Sequence, residues 1–483
     1  MPKRNIYTSN FTSNNTADKY LQERDEKQYI MRLRVYKDEE EYFPKILKIY
    51  EKNIYDGFTR IWEPIIIKIN TSSNNTKPLV KYNFYKYSKF DKLKDNIADS
   101  HNLRQEIEMK IGDILDKEKQ YKYKKQIKNI TEYYTRGLKF YVEKKRYVPH
   151  KISNAYMKLW EILSLFPELI NENYDNDKKD FMVFQMAEAP GQFINCITRF
   201  LKVNRKNQYD YHWRANSLKP ENYDNQKKYG KEKENIFGDD YNLIRDNPDK
   251  WIWGADGTGD IINTDNIKWY REYMLKWSKE MKQNINLVTG DGGMIGSLEM
   301  MQKLDIAQMI LTLATSQKGS SCVIKHFIPF INSIKNSYDC EGFFICLAYS
   351  YIQHYEYVYL TKPVTSNPNS GEVYIVGVNF KGIDDNMIDM YCDMLDNYKE
   401  NHCWFKQDKL DKKIVKKIMD FIQECFELRL KQTKIRLILS SCFYKLNDNQ
   451  KNHLQCNKML SMDYHKETRD KIFNIWLKRH KFI

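Results

Sequence analysis

The chain has 483 residues, a formal net charge of +15, 41% hydrophobic residues and 14% aromatic residues. A chain of this length can hold two or three domains around a sizeable core, and its hydrophobic content excludes a largely disordered protein. The excess of basic residues favours a polyanionic partner such as nucleic acid or an anionic membrane surface, although an AT-rich genome would produce a similar lysine bias.

The cysteines and the apolar segments indicate the compartment. Nine cysteines are scattered between Cys196 and Cys456 without a CxxC pair, which fits reduced thiols and argues against a disulfide framework or a structural zinc site. The N-terminus, MPKRNIYTSN, has no apolar signal core, and the longest apolar run, residues 342–352, is too short to span a bilayer. We therefore expect a cytoplasmic protein without a signal peptide, a transmembrane segment or a membrane partner.

The N-terminal part of the chain is polar and basic. Residues 1–20 are rich in Ser, Thr and Asn and are predicted to be disordered, whereas residues 21–150 are predicted to form a mostly helical basic region with some strand. Within this region, residues 117–151 interleave lysines with tyrosines. Such a segment can be a solvated helix face or an RNA-binding surface where cations meet phosphates and rings stack on bases, and the pattern leaves both open.

Beyond Pro149 the pattern changes to short apolar runs of strand character. These runs are residues 181–187, 209–218, 286–289, 321–327, 355–361 and 373–379. Helical patterns separate the early runs, which predicts an α/β sheet that is largely parallel. The last two runs are joined by a loop too short for a crossover helix, so these two strands are predicted to pair antiparallel.

Two further segments surround this predicted sheet. The charged residues 219–250 are predicted to form a surface insert with some helix. The chain from residue 384 onwards is basic and helical in pattern, with residues 412–434 as its clearest amphipathic stretch. We therefore place the sheet domain at residues 151–383 and a C-terminal helical region at residues 384–483.

The segment FQMAEAPGQFI, Phe184 to Ile194, marks the end of the first predicted strand. Pro190 fixes its own φ and Gly191 permits close backbone approach, so a strand, a tight turn and a helix start are predicted here. The segment has neither the GxGxxG dinucleotide pattern nor a Gly-Lys-Ser/Thr phosphate loop. On its own it could be a plain connection or a ligand cradle.

Four polar features fall at the ends of predicted strands. They are residues 188–193, residues 256–261, residues 289–293 and Lys325 within SCVIKHF. Ligands of open α/β sheets bind outside the carboxyl ends of the strands, so this clustering predicts a site. A lysine in an apolar strand can simply snorkel at an edge, but near an acid and a second cation its pKa can fall far enough for it to act as a base.

Seven motifs in sequence order resemble those of a known family. They are NAYMKLWEIL, EAPGQFI, YHWRANSLKP, WGADGTGDI, LVTGDGG, SSCVIKHF and TKPVTSNPNSGEVYIVG, and they run from about Ser153 to Phe380. They resemble the FtsJ-like RNA 2'-O-methyltransferases, most closely the Adrift-type mRNA cap methyltransferases of eukaryotes and large DNA viruses. The resemblance implies a Rossmann-like class I methyltransferase sheet, mostly parallel with an antiparallel last strand, and with helical additions at both ends.

The resemblance also implies the site residues and the chemistry. The family's Lys-Asp-Lys-Glu tetrad falls on Lys158, Asp291, Lys325 and Glu372. Members of the family transfer a methyl group from S-adenosylmethionine to a ribose 2'-hydroxyl, and no metal is expected in the chemistry. A neutral Lys325 would accept the hydroxyl proton or steer the lone pair of the hydroxyl oxygen, while Asp291 and Glu372 orient the two amines. The residues expected to contact the methyl donor are Glu188, Ala189, Pro190, Gly191, Gln192, Phe193, Asn216, Asp260, Ile261 and Asp291.

The chain departs from the family pattern at two positions. Gln185 stands where many methyltransferases place an acid at the end of the first strand, which puts the residue that reads the donor ribose in doubt. Asn367 stands where some cap enzymes have an arginine after the serine, so a phosphate contact is missing or is supplied elsewhere.

The expected partner is the capped 5' end of mRNA, with proteins of the capping or transcription machinery as further candidates. Residues 117–151 and 409–434 are the candidate basic surfaces for the RNA backbone. The lysine and asparagine bias together with the motifs suggests a large DNA virus that replicates in the cytoplasm. Two alternatives stay open, a methyltransferase acting on ribosomal or transfer RNA and a non-catalytic RNA-binding scaffold subunit that keeps the fold.

Overall fold

The structure is a computed structural model. It describes residues 63–71, 77–78, 90–170, 179–206, 208–230, 235–328, 341–448 and 460–483. The predicted disorder of residues 1–20 therefore lies outside the described residues, as does most of the predicted N-terminal region before residue 90.

Seven described strands form one sheet. They are β1 Ile65–Asn70, β2 Lys179–Met186, β3 Tyr209–Ala215, β4 Leu287–Gly290, β5 Ser321–Phe327, β6 Tyr355–Lys362 and β7 Glu372–Phe380. The six strands predicted beyond Pro149 are confirmed within a few residues at their ends. The additional strand, β1, comes from an apolar cluster in the N-terminal region, where some strand was expected without a partner.

The strand order is β1-β6-β7-β5-β4-β2-β3. Strands β3, β2, β4 and β5 pair parallel, and β7 pairs antiparallel with both β5 and β6. The predicted antiparallel pairing of the last two strands is confirmed, because the residues between β6 and β7 form only a loop. Strand β1 adds antiparallel to β6 at the edge of the sheet. The sheet is thus the mostly parallel, Rossmann-like α/β sheet that the sequence predicts.

Helices cover both faces of this sheet and extend it. They are α1 Asp91–Ile114, α2 Lys117–Thr131, α3 Leu138–Lys144, α4 Asn154–Leu165, α5 Gln192–Asn204, α6 Tyr223–Tyr229, α7 Leu243–Asp246, α8 Thr264–Met281, α9 Leu298–Thr315, α10 Glu341–His354, α11 Asp385–Asp396, α12 Lys412–Asp448 and α13 Met462–Arg479. The apolar run 342–352 lies in α10 and is buried, as predicted. Among the described helices, none is both long and apolar enough to cross a bilayer.

Elements from both ends of the chain pack against the central sheet. Helix α12 contacts α1, β1 and β6. The C-terminal segment reaches α4, where the Trp160 indole Nε1–H donates to the His480 carbonyl oxygen at 2.9 Å. Residues 59–483 therefore make up one compact unit, within which the region boundaries proposed from the sequence stay a prediction.

Candidate active site

The polar features predicted at the strand ends come together at the carboxyl edge of the parallel strands. The Glu188 amide donates to the Asn216 carbonyl at 2.9 Å, which joins the loops after β2 and β3. The Asn216 side-chain amide donates to the Gly259 carbonyl at 3.0 Å, which joins both to the third loop. Asp291, directly after β4, is close enough for its charge to act on the Glu188 carboxyl.

The four tetrad residues form two acid–amine pairs. Lys158 Nζ lies 2.7 Å from Glu372 Oε2, and Lys325 Nζ lies 3.2 Å from Asp291 Oδ1. Lys325 Nζ also donates to the Asp291 carbonyl oxygen at 2.6 Å. Each amine is therefore oriented by one acid, the arrangement expected from the sequence; the catalytic roles of these residues stay a prediction.

Local structure explains how these four side chains reach one place. Ser153 caps α4 by accepting from the amides of Ala155 and Tyr156, and Lys158 then lies on the buried side of this helix. Lys325 belongs to the otherwise apolar β5. Glu372 begins β7 and is the register partner of Phe327, two residues beyond Lys325 in β5. Helix α4 and neighbouring strands thus bring the two pairs together.

The charges of Lys158 and Glu372 hold each other in their ionised forms. Burial alone would lower the pKa of Lys158, but the carboxylates of Glu372 and Asp291 outweigh it and raise this pKa. Burial alone would raise the pKa of Glu372, but the charges of Lys158 and Lys325 outweigh it and lower this pKa to about 2. The Lys158–Glu372 pair is therefore a stable ion pair over the physiological range.

Three residues that the sequence analysis did not single out support the tetrad. Tyr374 OH donates to Asp291 Oδ1 at 3.0 Å, and Ser366 Oγ donates to Glu372 Oε1 at 2.8 Å. Lys362 Nζ donates to the Glu372 carbonyl oxygen at 2.7 Å. All three lie in the motif TKPVTSNPNSGEVYIVG, so the motif marked their segment but could not assign their contacts.

The two glycines after Asp291 allow Lys325 to approach the loop. A Cβ at Gly293 would stand 3.2 Å from Lys325 Nζ, and a Cβ at Gly292 would stand 2.5 Å from Gln308 Oε1. The Gly292 amide donates to that same Gln308 oxygen at 2.9 Å, and Gln308 Nε2 donates to the Lys325 carbonyl at 3.3 Å. The two glycines after Asp291 are thus explained by close packing against Gln308 and Lys325.

Glu188 performs a structural task that the sequence analysis did not foresee. Its Oε1 accepts from the amides of Phe193 and Ile194 at 2.7 and 3.0 Å, which caps the N-terminus of α5. Burial raises the pKa of this carboxyl well above its ordinary value, and the Asp291 charge raises it further, while the two amides lower it. Among the described contacts, Oε2 makes no hydrogen bond and is the oxygen left for a ligand.

The group that closely approaches Gly191 is a protein side chain, Leu243, and the space beside this glycine is not open to a ligand. The φ of Gly191 is +102°, and a Cβ there would stand 2.1 Å from Leu243 Cδ1. The glycine was expected to let the backbone approach a cofactor. Leu243, from the inserted helix α7, occupies the direction in which a side chain would point, so the structure already accounts for the glycine without a cofactor.

Gly191→Ala is therefore expected to destabilise the protein by about 2–4 kcal/mol, because left-handed backbone strain adds to overpacking against Leu243. Gly257 is the matched control, since its φ is +73° but no atom lies within 4 Å of a Cβ there. Gly257→Ala should cost only the strain, about 1–2 kcal/mol. Urea unfolding of both variants measures the difference, and equal losses would contradict the packing explanation.

The other residues predicted to contact the methyl donor differ in how many contacts they already make within the protein. Asp260 Oδ2 accepts from Lys228 Nζ at 2.8 Å and from Tyr229 OH at 2.7 Å, so this carboxylate is held by the insert. Phe193 and Ile261 are buried, and Ile261 packs into the hydrophobic core. Ala189 packs in a small cluster with Trp213 and Trp251, next to Pro190. Contacts of these residues with a donor stay a prediction.

Polar atoms without a partner remain at the strand ends. Within the described residues, Gln185 Oε1, Asn216 Oδ1 and Thr289 Oγ1 are buried and make no hydrogen bond. Gln192 Nε2 is likewise buried without a hydrogen-bond partner, whereas Gln192 Oε1 accepts from the Ser153 amide at 2.5 Å. Gln185 Nε2 donates to Tyr211 OH at 3.0 Å, so the side chain that departs from the acidic pattern is fixed by its amide nitrogen. Buried polar atoms without partners are rare and mark places where a ligand can bind.

The loop that lacks the family arginine contacts the residue at the end of α2. Asn367 Nδ2 lies 3.4 Å from Glu132 Oε1 at the end of α2, and the same oxygen accepts from Arg436 Nη2 at 2.5 Å. A guanidinium from α12 therefore lies near this loop, although not at position 367.

The lysine–tyrosine segment folds as an amphipathic helix. Tyr123 is buried and its hydroxyl donates to Ser440 Oγ at 2.6 Å, while Tyr121 is exposed. Most of the lysines of α2 lie on the exposed face. This geometry leaves both sequence readings open, and contact of residues 117–151 or 409–434 with RNA stays a prediction.

Metal ligation was not expected from the sequence. In the part of the chain that the structure describes, no group of three or more His, Cys, Asp or Glu side chains is arranged to hold a metal ion. A metal-free reaction stays an expectation of the resemblance.

Comparison with known proteins agrees with the motif resemblance. Residues 152–380 match the FtsJ-like methyltransferase family model. The chain is 27% identical over 366 residues to the uncharacterized protein L511 of Acanthamoeba polyphaga mimivirus, which covers 73% of this chain and 40% of that protein. It is 27% identical over 242 residues to the probable methyltransferase EP424R of African swine fever virus (isolate Pig/Kenya/KEN-50/1950), which covers 47% of this chain and 49% of that protein.

A mammalian relative is similar over nearly half of the chain. The chain is 28% identical over 237 residues to the cap-specific mRNA (nucleoside-2'-O-)-methyltransferase 2 of Mus musculus, covering 48% of this chain and 28% of that protein. The chain thus spans less than half the length of each of these three relatives. The resemblance predicted from the motifs is confirmed for residues 152–380.

Proposed function

Because residues 152–380 match the FtsJ-like methyltransferase family model, we propose that the chain transfers a methyl group from S-adenosylmethionine to the 2'-hydroxyl of a cap-proximal ribose in mRNA. The observation that carries the proposal is the convergence of Lys158, Asp291, Lys325 and Glu372 in two acid–amine pairs beside the carboxyl ends of the parallel strands. The names of the viral and mammalian relatives support the class of reaction.

The residues at the strand ends fit the methyl donor. S-adenosylmethionine offers hydrogen-bond donors in its ammonium group, its ribose hydroxyls and its adenine amine, and the protein presents the buried acceptors Gln185 Oε1, Asn216 Oδ1 and Thr289 Oγ1 without partners. Glu188 Oε2 is a further acceptor, on a carboxyl whose pKa is raised by burial and by the Asp291 charge. Glu188, Asn216 and Asp291 would hold the donor, and the loops 188–193 and 259–261 would enclose it.

The donor, when bound, supplies an electrophilic methyl group on a sulfonium. The acceptor hydroxyl is a weak nucleophile, so holding it in line with that methyl group supplies much of the rate increase. In its neutral form Lys325 Nζ, oriented by the side chain and the carbonyl of Asp291, would accept the hydroxyl proton or steer the oxygen lone pair as the O–C bond forms and the S–C bond breaks. Lys158, held by Glu372, adds positive charge beside the oxygen that is losing its proton.

The RNA would lie across the two lysines and continue onto basic surfaces. The exposed lysines of α2 and the basic residues between 409 and 434 are the candidate phosphate contacts. The capped 5' end is the proposed substrate, the capping or transcription machinery supplies the proposed protein partners, and the cytoplasm is the proposed location.

The experiment compares short RNAs of one sequence with and without a cap. Purified protein is incubated with labelled S-adenosylmethionine and each RNA, and the label in the RNA is counted. We expect label in the capped RNA in clear preference to the uncapped one. Equal labelling would contradict the cap assignment and favour a ribosomal or transfer RNA substrate, and RNA binding without any labelling would favour the scaffold alternative.

A further inference from the structure

The loop between β6 and β7, residues 363–371, directly precedes Glu372, the last residue of the tetrad. It ends at Glu372, whose Oε1 accepts from Ser366 Oγ at 2.8 Å and whose Oε2 accepts from Lys158 Nζ at 2.7 Å. The position of the Lys158 ammonium therefore depends on how firmly this loop holds the main chain of Glu372.

Lys362 holds the loop from its base. Its side chain is buried, and Nζ donates to the Glu372 carbonyl at 2.7 Å and to the Ser370 carbonyl at 2.9 Å, with Ser366 Oγ at 3.4 Å. An ammonium has three N–H donors, and these three acceptors lie at the middle and the end of the loop. Removing the ammonium would leave buried carbonyl groups without their donor.

Glu161 holds the same loop from the opposite side. This fully buried carboxylate lies three residues after Lys158 on α4, and it accepts from the amides of Val364 and Thr365 at 2.8 and 3.1 Å and from Thr365 Oγ1 at 2.7 Å. Its Oε2 also lies 3.4 Å from Trp476 Nε1 of α13. The start of the loop is thereby tied to the helix that carries Lys158, and Lys362 fixes the end.

The groups that face Lys362 come from several elements. They are Glu372 of β7, Lys158 of α4, and Cys425 and Arg429 of α12. Burial lowers the pKa of Lys362 to about 8, assisted by the like charges of Lys158 and Arg429 and opposed by Cys425 and Glu372. Burial also raises the pKa of the Cys425 thiol to about 12. Lys158 keeps its proton at the pH where Lys362 titrates because its own pKa is raised.

We propose that Lys362 is a positioning residue for methyl transfer: its ammonium fixes the main chain of Ser370 and Glu372, so that the Glu372 carboxylate holds the Lys158 ammonium beside the acceptor hydroxyl. The inference rests on the proposed function and adds to the tetrad a third buried lysine, one that touches neither donor nor acceptor. Loss of its proton removes one donor and one charge from the base of the loop.

The test measures kcat, KM and the pH profile of methyl transfer for wild type, Lys362→Met and Lys362→Arg. We expect Lys362→Met to lower kcat by about 10- to 100-fold with little change in the KM for the donor, because a small misplacement of a reacting group costs up to about 10²-fold. The wild-type rate should fall on the alkaline side with an apparent pKa of about 8. Lys362→Arg should move this fall to higher pH, because a guanidinium keeps its proton.

Lys303→Met is the matched control, because Lys303 is a partly buried lysine whose described ion pair is with Glu299 on α9 and not with a tetrad residue. It should leave kcat and the pH profile unchanged. A wild-type kcat in Lys362→Met, or an alkaline limb that Lys362→Arg does not move, would overturn the inference. If Lys362→Met does not fold, the pH at which the rate of Lys362→Arg falls on the alkaline side tests the inference alone. A wild type that methylates no RNA would instead contradict the proposed function on which the inference rests.

Discussion

Lys325→Ala is expected to lower the rate of methyl transfer by about 10²- to 10⁴-fold while leaving donor binding nearly unchanged. Lys325 Nζ is the amine held by both the side chain and the carbonyl of Asp291, so its removal takes away the group that accepts or directs the proton. Lys325→Arg should be nearly as inactive, since a guanidinium keeps the charge but cannot accept a proton.

Lys318→Ala is the control for this prediction. Lys318 lies in the turn just before β5 and is exposed, so its removal should change neither transfer nor donor binding. Single-turnover transfer and equilibrium donor binding, measured on all three variants, separate the chemical step from binding. Transfer by Lys325→Ala at the rate of Lys318→Ala would contradict the role assigned to Lys325.

Glu372→Gln is expected to destabilise the protein by about 3 kcal/mol at neutral pH, because it leaves the buried Lys158 ammonium without its counter-charge. The folded-state pKa of Glu372 is lowered from 4.5 to about 2. A lowered carboxyl pKa stabilises the fold above the unfolded-state pKa, and this contribution is lost as pH falls from about 4.5 towards 2. The difference between wild type and variant should therefore narrow in acid.

Glu118→Gln is the control, because Glu118 is paired with Lys122 at 2.6 Å on the exposed face of α2. This exposed pair should contribute less than about 1 kcal/mol. Urea unfolding at neutral and acid pH measures both variants. A loss in Glu372→Gln no larger than that in Glu118→Gln, or one that does not narrow in acid, would show that the Lys158–Glu372 pair does not stabilise the fold in this way.

The strands could be predicted from sequence because each buried run is short, apolar and bounded by polar turns. The antiparallel pairing of β6 and β7 followed from loop length alone. The place of β1 could not be predicted, because its partner β6 lies almost 290 residues away and nothing in the local pattern of Ile65–Asn70 specifies that pairing.

The site was predictable to the extent that motifs carry it. Lys158, Asp291, Lys325 and Glu372 were placed by resemblance, and the fold brings them together. Lys362 and Glu161 were missed because their role depends on hydrogen bonds to the main chain around the β6–β7 loop, and these contacts are visible only in the fold. Glu188 shows the converse, since the acid expected to contact a ligand also caps the helix that follows it.

Position-specific removal of the acceptor hydroxyl tests the central claim most directly. Capped RNAs of one sequence carry a 2'-deoxy sugar at the first transcribed nucleotide, at the second, or at both, and transfer of labelled methyl is compared with the all-ribose RNA. We expect transfer to disappear when one of these two hydroxyls is removed and to be absent when both are removed. Undiminished labelling of the RNA that lacks both hydroxyls would contradict methylation of a cap-proximal ribose.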